Sequence, residues 1–80
     1  MVNKIQFSTY KSVEKVLNTV QKSFSDDVRI KEVLFRGKKY IDLRIYTKTD
    51  KGEIVPTQRG IILPIPKMRE LIKKLVDLKI

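Results

Sequence analysis

The segment from Val33 to Lys48 constrains the fold of this chain more than any other feature. One strand ends at Phe35, Gly37 supplies a tight turn, and the residues after it alternate strictly between apolar and polar side chains. Such alternation is typical of a β-strand with two different faces, and glycine accepts the positive φ of a tight turn without a steric penalty. We therefore predict a β-hairpin. Three apolar side chains share one face of its second strand: Ile41, Leu43 and Ile45.

The opposite face of that strand is both aromatic and cationic. It carries five side chains: Tyr40, Asp42, Arg44, Tyr46 and Lys48. The preceding predicted strand, Val28 to Phe35, adds Arg29 and Lys31 on one side and ends on the Phe35 ring. A surface of this kind suits a flexible polyanion whose bases can stack, because cations neutralise phosphates and rings accept bases. Single-stranded nucleic acid is therefore the partner that this surface indicates.

Several of these side chains also have a purely structural interpretation. Phe35 taken alone is typical of a core residue, and its position beside a basic turn favours binding instead. Tyr40 and Tyr46 suit either role, because tyrosines also pack at sheet borders with the hydroxyl in water. Arg44 lies two residues from Asp42 on the same face, so an internal ion pair is the alternative to a phosphate contact.

The composition supports an acidic partner and argues against catalysis. A net charge of +9 and a pI near 10.0 favour nucleic acid, an anionic membrane surface or an acidic protein. The chain has no Cys and no His, which excludes disulfides, a conventional zinc site, and the commonest general base and thiol nucleophile. It also lacks a P-loop and a dinucleotide fingerprint. We therefore expect a protein that is not an enzyme and needs no cofactor.

The length of 80 residues allows one small domain with a modest core. Oligomerisation is the natural supplement to such a core when metals and disulfides are excluded. No apolar run approaches the length of a membrane span, and the N-terminus has no apolar stretch that could serve as a signal peptide. We expect an intracellular protein with no membrane partner, located in the cytoplasm or nucleoid, in a nucleus, or in the host cytoplasm if it comes from a phage.

The N-terminal part of the chain predicts a short strand followed by an amphipathic helix. Ile5 and Phe7 lie on one side of the strand, and from Thr9 the apolar residues change to helical spacing. The helix would end at Ser25–Asp27. Its apolar stripe contains Val13, Val16, Leu17, Val20 and Phe24.

The C-terminal part predicts two short strands and a second amphipathic helix. Glu53–Val55 and Gln58–Leu63 would be the strands, separated by Pro56, which suits an edge or a bend. Pro66 lies in the first turn of the helix, where proline is tolerated. The wide apolar stripe of this helix would cover the sheet on one side and meet a second subunit on the other: Ile65, Met68, Leu71, Ile72, Leu75 and Val76.

From about residue 28 to residue 80 the chain resembles the DNA-binding domain of the positive cofactor four family of transcriptional coactivators, which bind single-stranded DNA. The matching segments are Phe35–Lys38, Ile41–Arg44, Tyr46, Gly52–Pro56 and Arg59–Leu63, followed by one amphipathic helix. The resemblance implies an α+β fold, in which a curved four-stranded antiparallel sheet is backed by a C-terminal amphipathic helix, and a homodimer. Residues 1–27 would then form an N-terminal strand/helix extension, and residues 28–80 the binding domain.

The resemblance also implies roles for individual residues. The family's stacking aromatic falls on Phe35, and its basic contacts fall on Arg36, Lys38, Arg44 and Arg59. The helices would build much of the dimer interface, through Met68, Leu71, Ile72, Leu75 and Val76. The implied function is single-stranded DNA binding with little sequence specificity in transcription, replication, recombination or repair, together with proteins of those processes. Two alternatives stay open: an RNA-binding or RNA-chaperone module, and a protein-interaction coactivator with only generic nucleic-acid affinity.

Overall fold

The structure, a computed structural model, describes residues 13–80, which form one sheet and one helix. The elements in chain order are β1 (Val13–Gln21), β2 (Asp26–Phe35), β3 (Lys38–Lys48), β4 (Ile54–Pro64) and α1 (Ile65–Asp77). The four strands form an antiparallel sheet in the order β1-β2-β3-β4, so each strand pairs with its neighbour in sequence. The predicted four-stranded antiparallel sheet with a C-terminal helix is confirmed.

The hairpin between β2 and β3 follows the sequence prediction closely. Phe35 pairs with Lys38, so the loop contains only Arg36 and Gly37. Both loop residues have positive φ, 53° and 74°. Two consecutive residues of positive φ match the right-handed twist of the flanking strands, which is why such loops join tight hairpins. The glycine is therefore required by the turn, and the arginine accepts a left-handed conformation beside it.

The predicted N-terminal helix is wrong where the structure describes it, because Val13–Gln21 is the edge strand β1. The pairing of β1 with β2 shifts by one residue between Val16 and Asn18, which leaves Leu17 as a β-bulge. The predicted strand before residue 9 and the start of the predicted helix lie outside the described residues.

The bulge explains why this segment has helix-like spacing. Val13 lies opposite Leu34, and Val20 lies opposite Val28, so both valines share one face of the sheet. Residues seven apart would lie on opposite faces of a regular strand, and the extra residue at the bulge returns them to the same face. A spacing of seven also places residues on one face of a helix, so the pattern fits both structures.

The two predicted C-terminal strands form one continuous strand, β4, with an irregularity opposite β3. Pairing is regular from Pro64 to Gly60, and it resumes at Pro56 after the register shifts. Between them, the Thr57 hydroxyl donates to the Ile45 carbonyl oxygen at 2.8 Å. Proline is tolerated at such an interruption of an edge strand, since no ladder hydrogen bond is lost. A Cβ at Gly60 would lie 2.4 Å from the Leu43 carbonyl oxygen, so the close approach of the two strands requires glycine.

Helix α1 follows β4 directly and contacts β3 and β4. Pro66 lies in its first turn, as predicted, and Pro64 is the N-cap residue. Met68 is only 3% exposed and belongs to the core of the chain. Ile72, Leu75 and Val76 are exposed, so the apolar stripe is wider than the surface it covers. No helix within residues 13–80 is long and apolar enough to cross a membrane.

The two faces of the sheet have different compositions. The polar face is defined by the residues that β2 and β3 place opposite one another: Arg29, Lys31, Val33, Tyr40, Asp42, Arg44 and Tyr46. The other face is apolar and includes Ile30, Leu43 and Ile45, which are half-buried. The polar face contains the buried side chains of Val33, Asp42 and Tyr46. Its centre is therefore packed even though it is rich in charge.

Candidate nucleic-acid interface

The centre of the polar face is organised around the ring of Tyr46, which is 7% exposed. The guanidinium carbon of Arg29 lies 4.5 Å from the centroid of this ring, and Lys31 Nζ lies 5.4 Å from it. Both distances are within the range of cation–π attraction. Tyr46 thus serves as a packing partner for two of the predicted cations, and its ring is covered in this arrangement.

Lys31 is held on this face by an ion pair with Glu14 of β1. Burial acts to lower the pKa of the Lys31 ammonium, but its contacts with Glu14 and Tyr46 outweigh that effect and raise the pKa above 10.5. The side chain is therefore a fixed positive charge at neutral pH. Sequence reasoning missed this ion pair because it placed Glu14 on a helix.

Arg44 forms the internal ion pair that the sequence offered as an alternative to a phosphate contact. Its Nε donates to Asp42 Oδ2 at 3.2 Å, and its Nη2 lies 3.2 Å from Asp42 Oδ1. Its Nη1 donates to the Thr57 carbonyl oxygen at 3.1 Å. The Arg44 side chain is 17% exposed. It therefore connects β3 to the irregular part of β4 and has little surface left for a ligand.

The hairpin end of the sheet brings together two aromatic rings and two exposed cations. Arg36 Cζ lies 5.4 Å from the Phe35 ring centroid, and Lys38 Nζ lies 5.8 Å from the Tyr40 ring centroid. Arg36 and Lys38 are exposed, while Phe35 and Tyr40 are half-buried. We call these four residues the hairpin cluster. It holds the predicted stacking aromatic beside three other predicted contacts.

The opposite end of β3 carries the remaining predicted cations and an aromatic ring that sequence reasoning misplaced. Lys48 is exposed, and its Nζ lies 5.8 Å from the ring centroid of Phe24. Phe24 was predicted in the apolar stripe of a helix, but it lies in the β1–β2 turn and is 91% exposed. The neighbouring serines and aspartates are turn-forming residues, and they were the signal that could have placed it correctly.

Asp26 fixes the geometry of that turn. Its carboxylate accepts a hydrogen bond from the Thr47 hydroxyl at 2.7 Å. This hydrogen bond is the main reason that the pKa of Asp26 lies below 3.8. Desolvation acts to raise the pKa, and smaller effects of Ser25, Lys22 and Arg59 act to lower it. Arg59 is exposed on β4, between Gly60, which pairs with Arg44, and Pro56, which pairs with Tyr46, so it lies beside the C-terminal half of β3.

The ten predicted contact residues thus fall into three groups. Arg29, Lys31, Arg44 and Tyr46 pack in the centre of the polar face, the hairpin cluster lies at one end of β3, and Lys48 and Arg59 lie towards the other. Exposed cations beside rings can neutralise phosphates and contact bases. Within residues 13–80, no group of acidic residues is arranged to bind a metal ion.

The fold and these clusters define a small, basic protein of one antiparallel sheet and one helix, with exposed cations and aromatic rings at both ends of its long strand. The chain belongs to the family described as Transcriptional Coactivator p15 (PC4), because the sequence model of that family matches residues 22–74, more than half of its length. No curated protein matches the chain in a sequence comparison.

Solved structures of family members have the same fold. A PC4 homologue from Burkholderia pseudomallei, in a tetragonal crystal form, is similar with a TM-score of 0.76 and 29% identity over 85% of this chain and 100% of that chain. The orthorhombic crystal form of the same homologue has a TM-score of 0.73 and 31% identity over 81% of this chain and 88% of that chain. A third structure is the bacteriophage T5 homologue of the eukaryotic transcription coactivator PC4, implicated in recombination-dependent DNA replication. It has a TM-score of 0.66 and 19% identity over 81% of this chain and 75% of that chain. That last likeness shows the fold alone.

Proposed function

We propose that this protein is a homodimer that binds single-stranded DNA with little sequence specificity, by base stacking and phosphate contacts. The observation that carries the proposal is the hairpin cluster, in which Phe35 and Tyr40 each lie beside an exposed cation. Membership of a coactivator family supports it independently. The processes we propose are transcription, replication, recombination or repair, inside the cell, with proteins of those processes as further partners.

The chemistry of the hairpin cluster favours single strands over duplex. A ring can stack on a base only when the face of that base is accessible, and base pairing in a duplex hides those faces. Stacking distinguishes poorly between bases, because every base has a π-face, so little sequence preference is expected. In this proposal Phe35 stacks on a base, while Arg36 and Lys38 contact the adjacent phosphates.

The cations in the centre of the polar face have a different role in the proposal. Arg29, Lys31 and Arg44 are already engaged with Tyr46, Glu14 or Asp42. We assign them to shaping the polar face and maintaining its positive potential, rather than to the first contacts with the strand. Attraction of this kind extends over about a Debye length, roughly 8–10 Å at physiological salt.

The homodimer is proposed from the exposed part of α1. Three neighbouring apolar side chains, Ile72, Leu75 and Val76, are exposed, and Leu71 is half-buried. A contiguous apolar surface on a small basic chain usually marks a contact with another protein. Met68 was also predicted at the interface, but it is buried in the chain's own core, so the proposed interface rests on the other four residues.

The test is fluorescence anisotropy with a labelled 20-mer, single-stranded and duplex, over a salt series. The proposal expects salt-sensitive binding that prefers the single strand, and equal binding to both forms would refute it. Phe35→Leu, which keeps an apolar side chain but removes the ring, should weaken binding by about fivefold or more, since stacking contributes roughly 1–3 kcal/mol per base. Phe35→Tyr is the matched control and should bind normally.

RNA is tested in the same assay with an oligoribonucleotide of the same sequence. Binding to RNA that clearly exceeds binding to DNA would favour the RNA-chaperone alternative, because the 2′-hydroxyl is what separates the two at a given site. The protein-interaction alternative predicts that Phe35→Leu leaves binding of the protein partner unchanged and that variants of the exposed apolar residues of α1 abolish it.

A further inference from the structure

The β1–β2 turn presents one aromatic ring to solvent in a way that packing does not explain. Phe24 is 91% exposed. A phenylalanine of this exposure gains almost none of the roughly 1.5–3 kcal/mol that burying its side chain would contribute. Burial of this ring therefore contributes almost nothing to the stability of the sheet, and its aromatic character requires another explanation.

The turn that carries Phe24 is firmly held by backbone hydrogen bonds. The amide groups of Lys22 and Ser23 donate to the Asp26 carbonyl oxygen at 2.9 and 3.1 Å, and the Lys48 amide donates to the Ser25 carbonyl oxygen at 2.9 Å. These bonds surround Phe24 on both sides in sequence and attach the turn to the end of β3. A ring on a fixed turn can bind a planar group with little loss of conformational entropy.

The charges around this ring favour an anion. Lys48 Nζ lies 5.8 Å from the ring centroid, and Lys22 lies in the same turn. The acidic group nearest in sequence is Asp26, whose carboxylate is already engaged by the Thr47 hydroxyl and lies under the influence of Lys22 and Arg59. A ring that contacts a base, next to cations that contact its phosphate, is the combination found in single-strand binding sites.

The position of Phe24 also fits the path along the polar face. Lys38 and Lys48 are an even number of residues apart on β3, and β3 pairs regularly with β2 from Lys38 to Thr47, so both side chains belong to the same face. Ten residue steps of about 3.4 Å separate them by at most ~34 Å. The hairpin cluster and the Phe24–Lys48 pair therefore lie at the two ends of one charged face.

We propose that Phe24, together with Lys48, is a second base-stacking site for single-stranded nucleic acid, at the opposite end of β3 from Phe35. This inference rests on the proposed function, since it extends the same binding path. The two sites are about 34 Å apart along β3. A single strand of nucleic acid with roughly 3.4 Å per stacked nucleotide therefore needs about ten nucleotides to reach both. A 20-mer is long enough for both.

The chain contains no tryptophan, so Phe24→Trp introduces a unique fluorophore at the proposed site. We expect solvent-exposed emission in the free protein and strong quenching when an unlabelled single-stranded 20-mer is added. Leu78→Trp, at an exposed apolar position after α1, is the matched control and should not be quenched. No quenching at position 24, equal quenching at both positions, or buried emission at position 24 before DNA is added would each overturn the inference.

Affinity gives a second readout. Phe24→Ala should weaken binding of the 20-mer by about fivefold or more, and Phe24→Tyr should retain it. Val20→Ala removes another exposed apolar side chain from the same hairpin and should leave affinity unchanged. If the unmodified protein binds no single-stranded DNA, the proposed function fails. If it binds and Phe24→Ala binds equally well, only the present inference fails.

Discussion

The hairpin cluster permits a quantitative prediction because both of its cations, Arg36 and Lys38, are exposed and each would contribute one phosphate contact. Arg36 has a positive φ, so Arg36→Asn is the suitable substitution, since asparagine tolerates that conformation and is uncharged. Lys38→Gln completes the double variant. If each cation neutralises one phosphate, the slope of log K against log salt should become shallower by about 1.4, at roughly 0.7 per contact for single strands.

The slope difference has a measurable consequence. Between about 50 mM and about 200 mM salt, a change of roughly 1.4 in slope narrows the affinity gap between the unmodified protein and the double variant by about sevenfold. Anisotropy titrations of a labelled 20-mer at four or five salt concentrations resolve such a difference. The unmodified protein should have the steeper dependence and the tighter binding at low salt.

The matched control removes the same charge elsewhere. Lys73→Gln with Lys74→Gln lowers the net charge of +9 by the same amount, and both lysines are exposed on α1. A long-range effect of net charge would affect both double variants equally, whereas local phosphate contacts affect only the hairpin variant. Equal slopes for the two double variants would refute the assignment of Arg36 and Lys38 to phosphate contacts.

Three further predictions concern stability and assembly. Asp42→Ala leaves the half-buried Arg44 guanidinium without its carboxylate and should lower the free energy of unfolding in urea by about 3 kcal/mol. Glu70→Ala, at an exposed ion pair, should lower it by less than about 1 kcal/mol, and equal losses for the two variants would contradict the structural role of Arg44. The lowered pKa of Asp26 stabilises the fold above pH 3.8, and that contribution is lost as the pH falls through the pKa of the folded state. Thr47→Val removes the hydrogen bond that is the main cause of the lowered pKa, so the midpoint of acid unfolding, followed by circular dichroism, should move to higher pH. An unchanged midpoint would refute the link between this hydrogen bond and acid stability. Leu75→Glu should convert the proposed dimer to a monomer in sedimentation equilibrium, and an unchanged mass would show that this part of α1 is not the interface.

The central hairpin could be predicted from sequence because two local signals agree there. The alternation over β3 determined both its bounds and its two faces, and Gly37 marked the turn. The C-terminal helix was predictable for a similar reason, since its apolar stripe and Pro66 both indicate a helix that starts near residue 65. Patterns that are consistent over more than ten residues leave few alternatives.

The first strand could not be predicted in this way because its pattern is ambiguous. A β-bulge at Leu17 gives Val13 and Val20 the spacing of a helix face. Nothing in the local sequence marks the extra residue, and the choice between strand and helix is made by pairing with β2. The β-branched residues Val16 and Thr19 favour a strand, but that preference is weaker than the apparent helical period.

The polar face shows why the net charge of the chain overstates the number of cations that are available to a ligand. Alternation placed Arg29, Lys31 and Arg44 on one face, but cross-strand neighbours decide which cations are already engaged. Arg44 pairs within its own strand, as its spacing from Asp42 allowed, whereas the partner of Lys31 comes from β1, which the sequence misassigned. Along β2 and β3, exposed cations that also lie beside aromatic rings are found towards the ends of β3: Arg36, Lys38 and Lys48. A strand of nucleic acid that binds this protein would accordingly depend most on those two ends, and variants in the centre should act through stability before they act through contacts.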